Sequence, residues 1–188
     1  MVKSIALLCL VVLFSQCSNK ETVVDPYAAI KAKFPTTINA TSLADYTGQG
    51  RPTYITKDNT GTNSISNAGA TLGRVLFYDK NLSSSNTIAC ASCHKQSSAF
   101  SDTPVQSQGV NGVTGRHAMR LVNSRFSTET KFFWDERAAT LEAQTTRPIQ
   151  DHKEMGFSGA DGDQNLAALN HRRHGLFKTT RKWDSVVP

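Results

Sequence analysis

Two cysteines and a histidine stand close together near the middle of the chain, in the run Cys90-Ala91-Ser92-Cys93-His94. On a helix, residues three and four positions apart share one face, so both thiols and the imidazole point the same way. This C-x-x-C-H spacing is typical of c-type haem attachment, in which the thiols form thioethers and the histidine binds the iron. The motif therefore predicts one covalent haem c, tethered by Cys90 and Cys93, with His94 as the proximal iron ligand.

Two other kinds of site also use closely spaced cysteines. A zinc site needs further Cys or His residues at ligand spacing, and the sequence has no second C-x-x-C. A thioredoxin-like redox pair has no use for the adjacent histidine and is expected in a βαβ context, which the sequence pattern does not indicate. Haem attachment is the interpretation that uses all three residues.

Length and charge limit the remaining function classes. The chain has 188 residues and a formal net charge of +6, which suits one domain of ordinary size with appendages. The basic residues are not gathered in one block and no nucleic-acid-binding motif is present, so we expect no nucleic-acid partner. The net positive charge is explained by solvated basic residues on the surface, although a basic surface can also attract an acidic electron-donor protein.

Residues 1–17 have the pattern of a lipoprotein-type signal peptide. Lys3 provides a basic start, and the apolar run over 5–14 is too short to cross a bilayer as a helix. The run ends in F-S-Q-C, which resembles the cleavage site of bacterial lipoproteins, with Cys17 as the lipid-bearing residue. We therefore expect a periplasmic or cell-envelope protein that contacts the membrane only through a lipid anchor at Cys17.

The elements needed to position the motif are mainly helical. Residues 18–62 are predicted to form a tether and an irregular arm, because prolines and glycines interrupt any long element. Residues 63–188 are predicted to form the haem domain, a mainly α fold with long loops. Within these segments the sequence pattern predicts a long loop over 96–114. It also predicts five helices, over 27–34, 68–79, 87–95, 137–146 and 163–171.

Four blocks of sequence carry a resemblance to a known family: LGRVLFYDKNLS (72–83), CASCHKQSSAFSD (90–102), FFWDERAATLEAQ (132–144) and PIQDHKEMG (148–156). Their order and separations resemble those of the N-terminal haem domain of bacterial di-haem cytochrome c peroxidases. The resemblance implies a cytochrome c-like haem domain. It also implies reduction of hydrogen peroxide to water with electrons from a small cytochrome or similar donor. Such enzymes carry a second haem domain with its own C-x-x-C-H, so we expect a chain truncated before that domain.

The resemblance also implies roles for three residues away from the motif. Gln144 and Glu154 match the distal pair, in which an amide orients the peroxide and a carboxylate moves its proton. Trp134 matches a tryptophan between the two haems, a candidate electron conduit. From the residues alone, Gln144 reads as a solvated helix residue, Glu154 as a residue that caps a turn, and Trp134 as a core aromatic beside its phenylalanine neighbours.

His117 falls where the family pattern has an asparagine that helps bind calcium, so its presence makes calcium doubtful. The imidazole is instead a candidate distal ligand or base, and the thioether of Met119 is a second candidate ligand.

Two alternative functions stay open at this point. The chain could be a mono-haem electron-transfer lipoprotein cytochrome with a closed, six-coordinate iron. It could also be an inactive truncated remnant of a di-haem peroxidase.

Overall fold

The computed structural model describes residue 25, residues 28–61 and residues 63–158. These ranges contain four α-helices and one small antiparallel sheet: α1 (Ala28–Lys33), α2 (Asn67–Tyr78), α3 (Cys90–Cys93), α4 (Leu141–Gln150), β1 (Gln108–Gly109) and β2 (Gly112–Val113). Single 3₁₀ turns lie at Lys80–Leu82, Gln96–Ser98 and Ser124–Phe126. Long loops connect a few helices, as predicted. The predicted signal peptide, most of the tether and the helix at 163–171 lie outside the described residues.

Helix α2 supplies much of the small apolar core. The Ser66 hydroxyl caps its start by accepting a hydrogen bond from the Gly69 N–H at 3.0 Å. Its apolar stripe buries Val75 and turns Leu76 towards a core cluster made of Leu82, Met155 and Phe157. The prediction of a helix over 68–79 is confirmed to within one residue at each end.

Helix α3 is a single turn, so the prediction of a helix over 87–95 is wrong in length. The Ser92 hydroxyl accepts a hydrogen bond from the Ala89 N–H at its start, and the His94 N–H donates to the Cys90 carbonyl at its end. His94 then leaves helical geometry, with φ −111° and ψ 77°, and Lys95 pairs with Ser101 in an isolated bridge. The single turn is still enough to place both thiols and the imidazole together.

Helix α4 is shifted relative to the prediction of a helix over 137–146. Residues 132–138 close a tight turn, because the N–H groups of Phe132 and Ala138 each donate to the other's carbonyl. The helix can start only after this turn, where the Thr140 hydroxyl caps it by accepting from the Ala143 N–H. It then continues through Pro148, which has no backbone N–H to donate to the Gln144 carbonyl.

The end of the predicted arm is fixed to the body of the domain. Arg125 makes a bidentate ion pair with Asp58, with a shortest N–O distance of 2.7 Å. The pKa of the Asp58 carboxyl is lowered mainly by this contact. Next to it, the Asn59 side chain donates to the carbonyls of Ser124 and Ser127. No helix in the described ranges has the length and apolar character to cross a bilayer.

The β1–β2 hairpin supports a second loop that returns to the core from the C-terminal side. The N–H groups of Val110 and Asn111 donate to the carbonyls of Glu154 and Lys153, and the Asn111 side chain donates to the His152 carbonyl. Gly109 makes this approach possible, because a Cβ at this position would collide with the Lys153 carbonyl oxygen. The hairpin and residues 151–156 therefore dock through backbone contacts.

Replacing Gly109 with alanine should destabilise the protein by about 2 kcal/mol or more, because a methyl group must push the Lys153 backbone away. Gly73→Ala is the matched control. Gly73 lies inside α2 with open space around its position, so alanine there should stabilise by roughly 0.5–1 kcal/mol. Urea unfolding of both variants checks the prediction. Equal midpoints for the two would contradict the docking described here.

Candidate haem site

A cavity of about 520 Å³ is lined by the predicted haem motif and by residues from several other parts of the domain. This volume lies within the roughly 300–1,000 Å³ range that is usual for ligand and cofactor sites. The walls come from α3, α4, residues 114–121 and residues 151–155. The apolar part of the lining includes Phe77, Ile88, Leu121, Phe133, Leu141 and Met155. The cavity is therefore large and mostly apolar, with a few convergent polar groups.

His94 enters the cavity with one ring nitrogen already occupied. Its Nδ1 lies 2.9 Å from the Phe100 carbonyl oxygen. A carbonyl can only accept, so Nδ1 carries a proton and donates. In the neutral ring Nε2 is then unprotonated and has a free lone pair, the state that a histidine needs to bind a metal.

Both cysteines of the motif line the same cavity as free thiols. Burial raises the pKa of Cys90 and of Cys93, and the negative charges of Asp102 and Glu154 add to the rise at Cys93. A thioredoxin-like cysteine needs a lowered pKa to act as a thiolate nucleophile, so the raised values argue against that alternative. The described residues also hold no cluster of three or more His, Cys, Asp or Glu suited to a metal ion, which leaves the zinc alternative without further ligands there.

Helix α4 presents a regular face to the cavity. Its lining residues follow the i, i+3, i+4, i+7 spacing of one helix face: Leu141, Gln144, Thr145 and Pro148. Gln144 is thus the amide on the wall that α4 forms. Its Nε2 lies 4.0 Å from the Met119 sulfur, a weak contact that leaves the amide able to donate to a ligand in the cavity.

Glu154 reaches the cavity from the loop that docks on the hairpin. The Asp151 carboxylate fixes this loop by accepting hydrogen bonds from the N–H groups of Lys153 and Glu154. Burial raises the pKa of Glu154, the negative charge of Asp151 raises it further, and the positive charge of Arg137 opposes both. A carboxyl group with a raised pKa in a cleft is a candidate for taking up and releasing protons during a reaction.

Trp134 lies at the edge of the cavity with 61% of its surface exposed, so the alternative of a core aromatic is wrong. Its indole N–H donates to the His117 carbonyl. Beside it, the Arg137 guanidinium lies 3.5 Å from the centre of the Phe133 ring and pairs with Asp135. The indole therefore connects the cavity with the protein surface.

His117 lines the cavity, but neither of its ring nitrogens is free. Nδ1 lies 3.1 Å from the Pro104 carbonyl and Nε2 lies 3.0 Å from the Ser101 hydroxyl. Coordination of iron by His117 would require one of these contacts to break, so the geometry gives the distal-ligand prediction no support. Met119, the second candidate ligand, lines the cavity with its thioether near Gln144.

These residues fit a haem c. The donor set consists of two free thiols and an imidazole with its Nε2 lone pair available, and the remaining wall is largely apolar. Two contributions were missed from the sequence: the Phe100 carbonyl that orients His94, and Arg137 beside Glu154. The first is a backbone atom and leaves no residue-type signal. Arg137 was recognised in the sequence only as the first residue of the helix predicted over 137–146.

Comparison with known proteins agrees with this geometry. The family model of di-haem cytochrome c peroxidases matches residues 67–181, which is more than half of the chain. The chain belongs to this family. The match extends beyond residues 72–156, which carried the resemblance in the sequence. Membership supports haem c as the cofactor and peroxide reduction as the activity at the level of the family.

Two relatives and one solved structure give the extent of the similarity. The chain is 37% identical over 99 residues to methylamine utilization protein MauG of Methylophilus methylotrophus, covering 51% of this chain and 28% of the relative. It is 40% identical over 91 residues to cytochrome c peroxidase Ccp of Escherichia coli K12, covering 48% of this chain and 19% of the relative. The crystal structure of a MauG-like protein associated with microbial copper homeostasis matches with a TM-score of 0.56 and 30% identity. That match covers 71% of this chain and 41% of the other.

The chain therefore spans about a fifth to a third of the length of such curated relatives. The stretch that the family model matches, residues 67–181, includes all the residues that line the cavity.

The surroundings of Glu154 predict opposite effects for two charge-removing variants. Asp151→Asn should lower the pKa of Glu154, because it removes a neighbouring negative charge while an amide oxygen can still accept the loop hydrogen bonds. Arg137→Gln should raise the pKa of Glu154, because it removes the opposing positive charge. Carbon-13 NMR titration of the Glu154 carboxyl measures both. Shifts in the same direction would contradict this electrostatic description.

Proposed function

We propose that this chain forms a haem c peroxidase domain that reduces hydrogen peroxide to water. One observation carries the proposal: a single cavity is lined by the two thiols, by His94 with its Nε2 lone pair free, and by Gln144 and Glu154. Thiols and imidazole are the groups that tether a haem c and bind its iron. An amide and a carboxyl group with a raised pKa are the groups that peroxide cleavage needs.

The reaction consumes one peroxide, two electrons and two protons and releases two waters. A haem iron, when bound, supplies the redox chemistry for breaking the O–O bond. Glu154 accepts a proton from the bound peroxide at a carboxylate oxygen and returns it to the leaving oxygen, which departs as water. The Gln144 side-chain N–H groups donate to the peroxide and orient it. Positioned proton transfer of this kind contributes roughly 10²–10⁴-fold to a rate.

Electrons would enter through the exposed edge of the site. Trp134 is the aromatic group between the cavity and the surface, so we assign it as the conduit from a small cytochrome or a similar donor protein. We also propose a periplasmic or cell-envelope location with a lipid anchor at Cys17. This part of the proposal rests on the pattern of residues 1–17 and on haem c as the cofactor.

A second function is favoured by one observation. The Met119 thioether lines the cavity next to Gln144, and a thioether opposite a histidine is the ligand pair of electron-transfer cytochromes c. If Met119 bound the iron, the domain would be a mono-haem electron carrier closed to peroxide. The spin state of the ferric iron separates the two functions.

We expect one haem c per chain, with a high-spin ferric spectrum that Met119→Leu leaves unchanged. The spacing of Cys90, Cys93 and His94 gives the stoichiometry, and the free Nε2 of one histidine gives the single strong ligand. A pyridine haemochrome assay and an absorption spectrum measure both. A low-spin spectrum that becomes high-spin in Met119→Leu would favour the electron carrier, and a chain without haem would contradict both functions.

Glu154→Gln should slow the reaction with peroxide by roughly 10²–10⁴-fold while leaving the haem spectrum intact. In the wild type, the rate should fall as the pH drops through the raised pKa of Glu154, because the protonated carboxyl group cannot accept a proton. The variant should lose this acidic limb. Stopped-flow mixing with peroxide over a range of pH measures both effects.

Glu142→Gln is the matched control for this experiment. Glu142 lies on the same helix as Gln144, but it bonds to Asn63 and does not line the cavity. Its replacement should leave the rate with peroxide unchanged. Equal rates for the Glu154 variant and the wild type would remove Glu154 from the mechanism.

A further inference from the structure

The loop from Lys95 to Asp102 delivers the carbonyl group that orients His94. It begins directly after the histidine, turns through a 3₁₀ segment and brings the Phe100 carbonyl to 2.9 Å from His94 Nδ1. The Phe100 ring packs edge-on against Phe77, with ring centres 6.0 Å apart. Both the side chain and the carbonyl of Phe100 thus contact groups that line the cavity.

The backbone of this loop is strained where the carbonyl is placed. Ala99 and Phe100 are consecutive residues in the left-handed region, with φ of 55° and 57°. Residues with a Cβ rarely adopt this conformation, and they keep it only where surrounding contacts over-determine it. Something in the loop must therefore hold the two residues in place.

Lys95 provides contacts on both sides of the strained pair. Its backbone N–H donates to the Ser101 carbonyl at 2.8 Å, and its carbonyl accepts from the Phe100 N–H at 2.9 Å. Its ammonium group pairs with the Asp102 carboxylate at 2.6 Å, and the same carboxylate oxygen accepts from the Thr103 N–H. The ion pair therefore closes the loop across its two ends.

This ion pair differs in its burial from the others in the described residues. The Asp102 side chain is 2% exposed, whereas the carboxylates of the other ion pairs are 25–42% exposed. Burial alone would raise the pKa of Asp102, but the hydrogen bond from Lys95 and the other contacts lower it below its ordinary value. A carboxylate held ionised in a buried position makes the closure of the loop depend on Lys95.

We propose that the Lys95–Asp102 ion pair is a positioning device for the iron ligand, which sets the electron-donor strength of His94 Nε2 through the Phe100 carbonyl. The proposal rests on the haem site of the proposed function. A hydrogen bond from the non-ligating nitrogen raises the basicity of a metal-bound imidazole. A more basic imidazole stabilises the ferric iron, so the ion pair lowers the reduction potential of the haem.

The test uses the haem-loaded chain and four variants. Lys95→Met, Asp102→Asn and the double variant Lys95→Met/Asp102→Asn should each raise the midpoint potential. Each should also lower the frequency of the ferrous iron–histidine stretch in resonance Raman spectra, because the Phe100 carbonyl is no longer held against Nδ1. Lys95→Arg keeps the charge and the donor, so it should restore values near the wild type. The double variant leaves no unpaired buried charge and decides the matter if a single variant fails to fold.

Lys31→Met is the matched control, because it removes a lysine from an ion pair whose partners are 49% and 42% exposed. It should change neither the potential nor the stretching frequency. A haem-loaded double variant with wild-type potential and stretching frequency would overturn this inference and leave the proposed function standing. A wild-type chain that carries no haem would overturn both.

Discussion

The hydrogen bond between His94 Nδ1 and the Phe100 carbonyl is the contact on which the candidate site depends. An imidazole has two ring nitrogens, and occupying one as a donor leaves the lone pair on the other. The C-x-x-C-H turn delivers the histidine to the cavity but does not fix the rotation or the tautomer of its ring. The loop that follows the turn fixes both, through the backbone carbonyl of Phe100. The motif becomes a ligand site only in this context.

Gln144 and Glu154 line the same cavity, and they are positioned there in two different ways. Gln144 is placed by the period of α4, so its position follows from the phase of the helix that the Thr140 cap sets. Glu154 stands on a loop, which is usually a less exact support. Here the loop is fixed by the Asp151 side chain from within and by the hairpin from outside, through backbone hydrogen bonds at Val110 and Asn111. Both side chains therefore line one cavity, Gln144 from a helix and Glu154 from a loop that hydrogen bonds hold in place.

The sequence predicted those parts of the structure that side-chain type and spacing encode. The amphipathic period of α2 and the haem motif could be found because both are repeated or closely spaced patterns. The extent of α3 and the start of α4 could not, since each is decided by backbone conformations at residues without a glycine signal. Ala99, Phe100 and Glu136 all adopt positive φ, which sequence patterns do not predict for such residues. Contacts made by backbone carbonyls cannot be predicted from residue types either, because every residue has such a carbonyl.

Two carboxyl groups near the cavity have pKa values that their surroundings shift in opposite directions. Asp102 is buried but bonded to Lys95, so its pKa is lowered and it keeps its charge. Burial and the negative charge of Asp151 raise the pKa of Glu154, and the positive charge of Arg137 opposes the rise only in part. Carboxyl groups whose pKa values are pushed apart in this way divide into a fixed charge and a proton carrier. In this division Asp102 is the fixed charge, paired with Lys95 in the loop that orients His94, and Glu154 is the carboxyl group with the raised pKa among the residues that line the cavity.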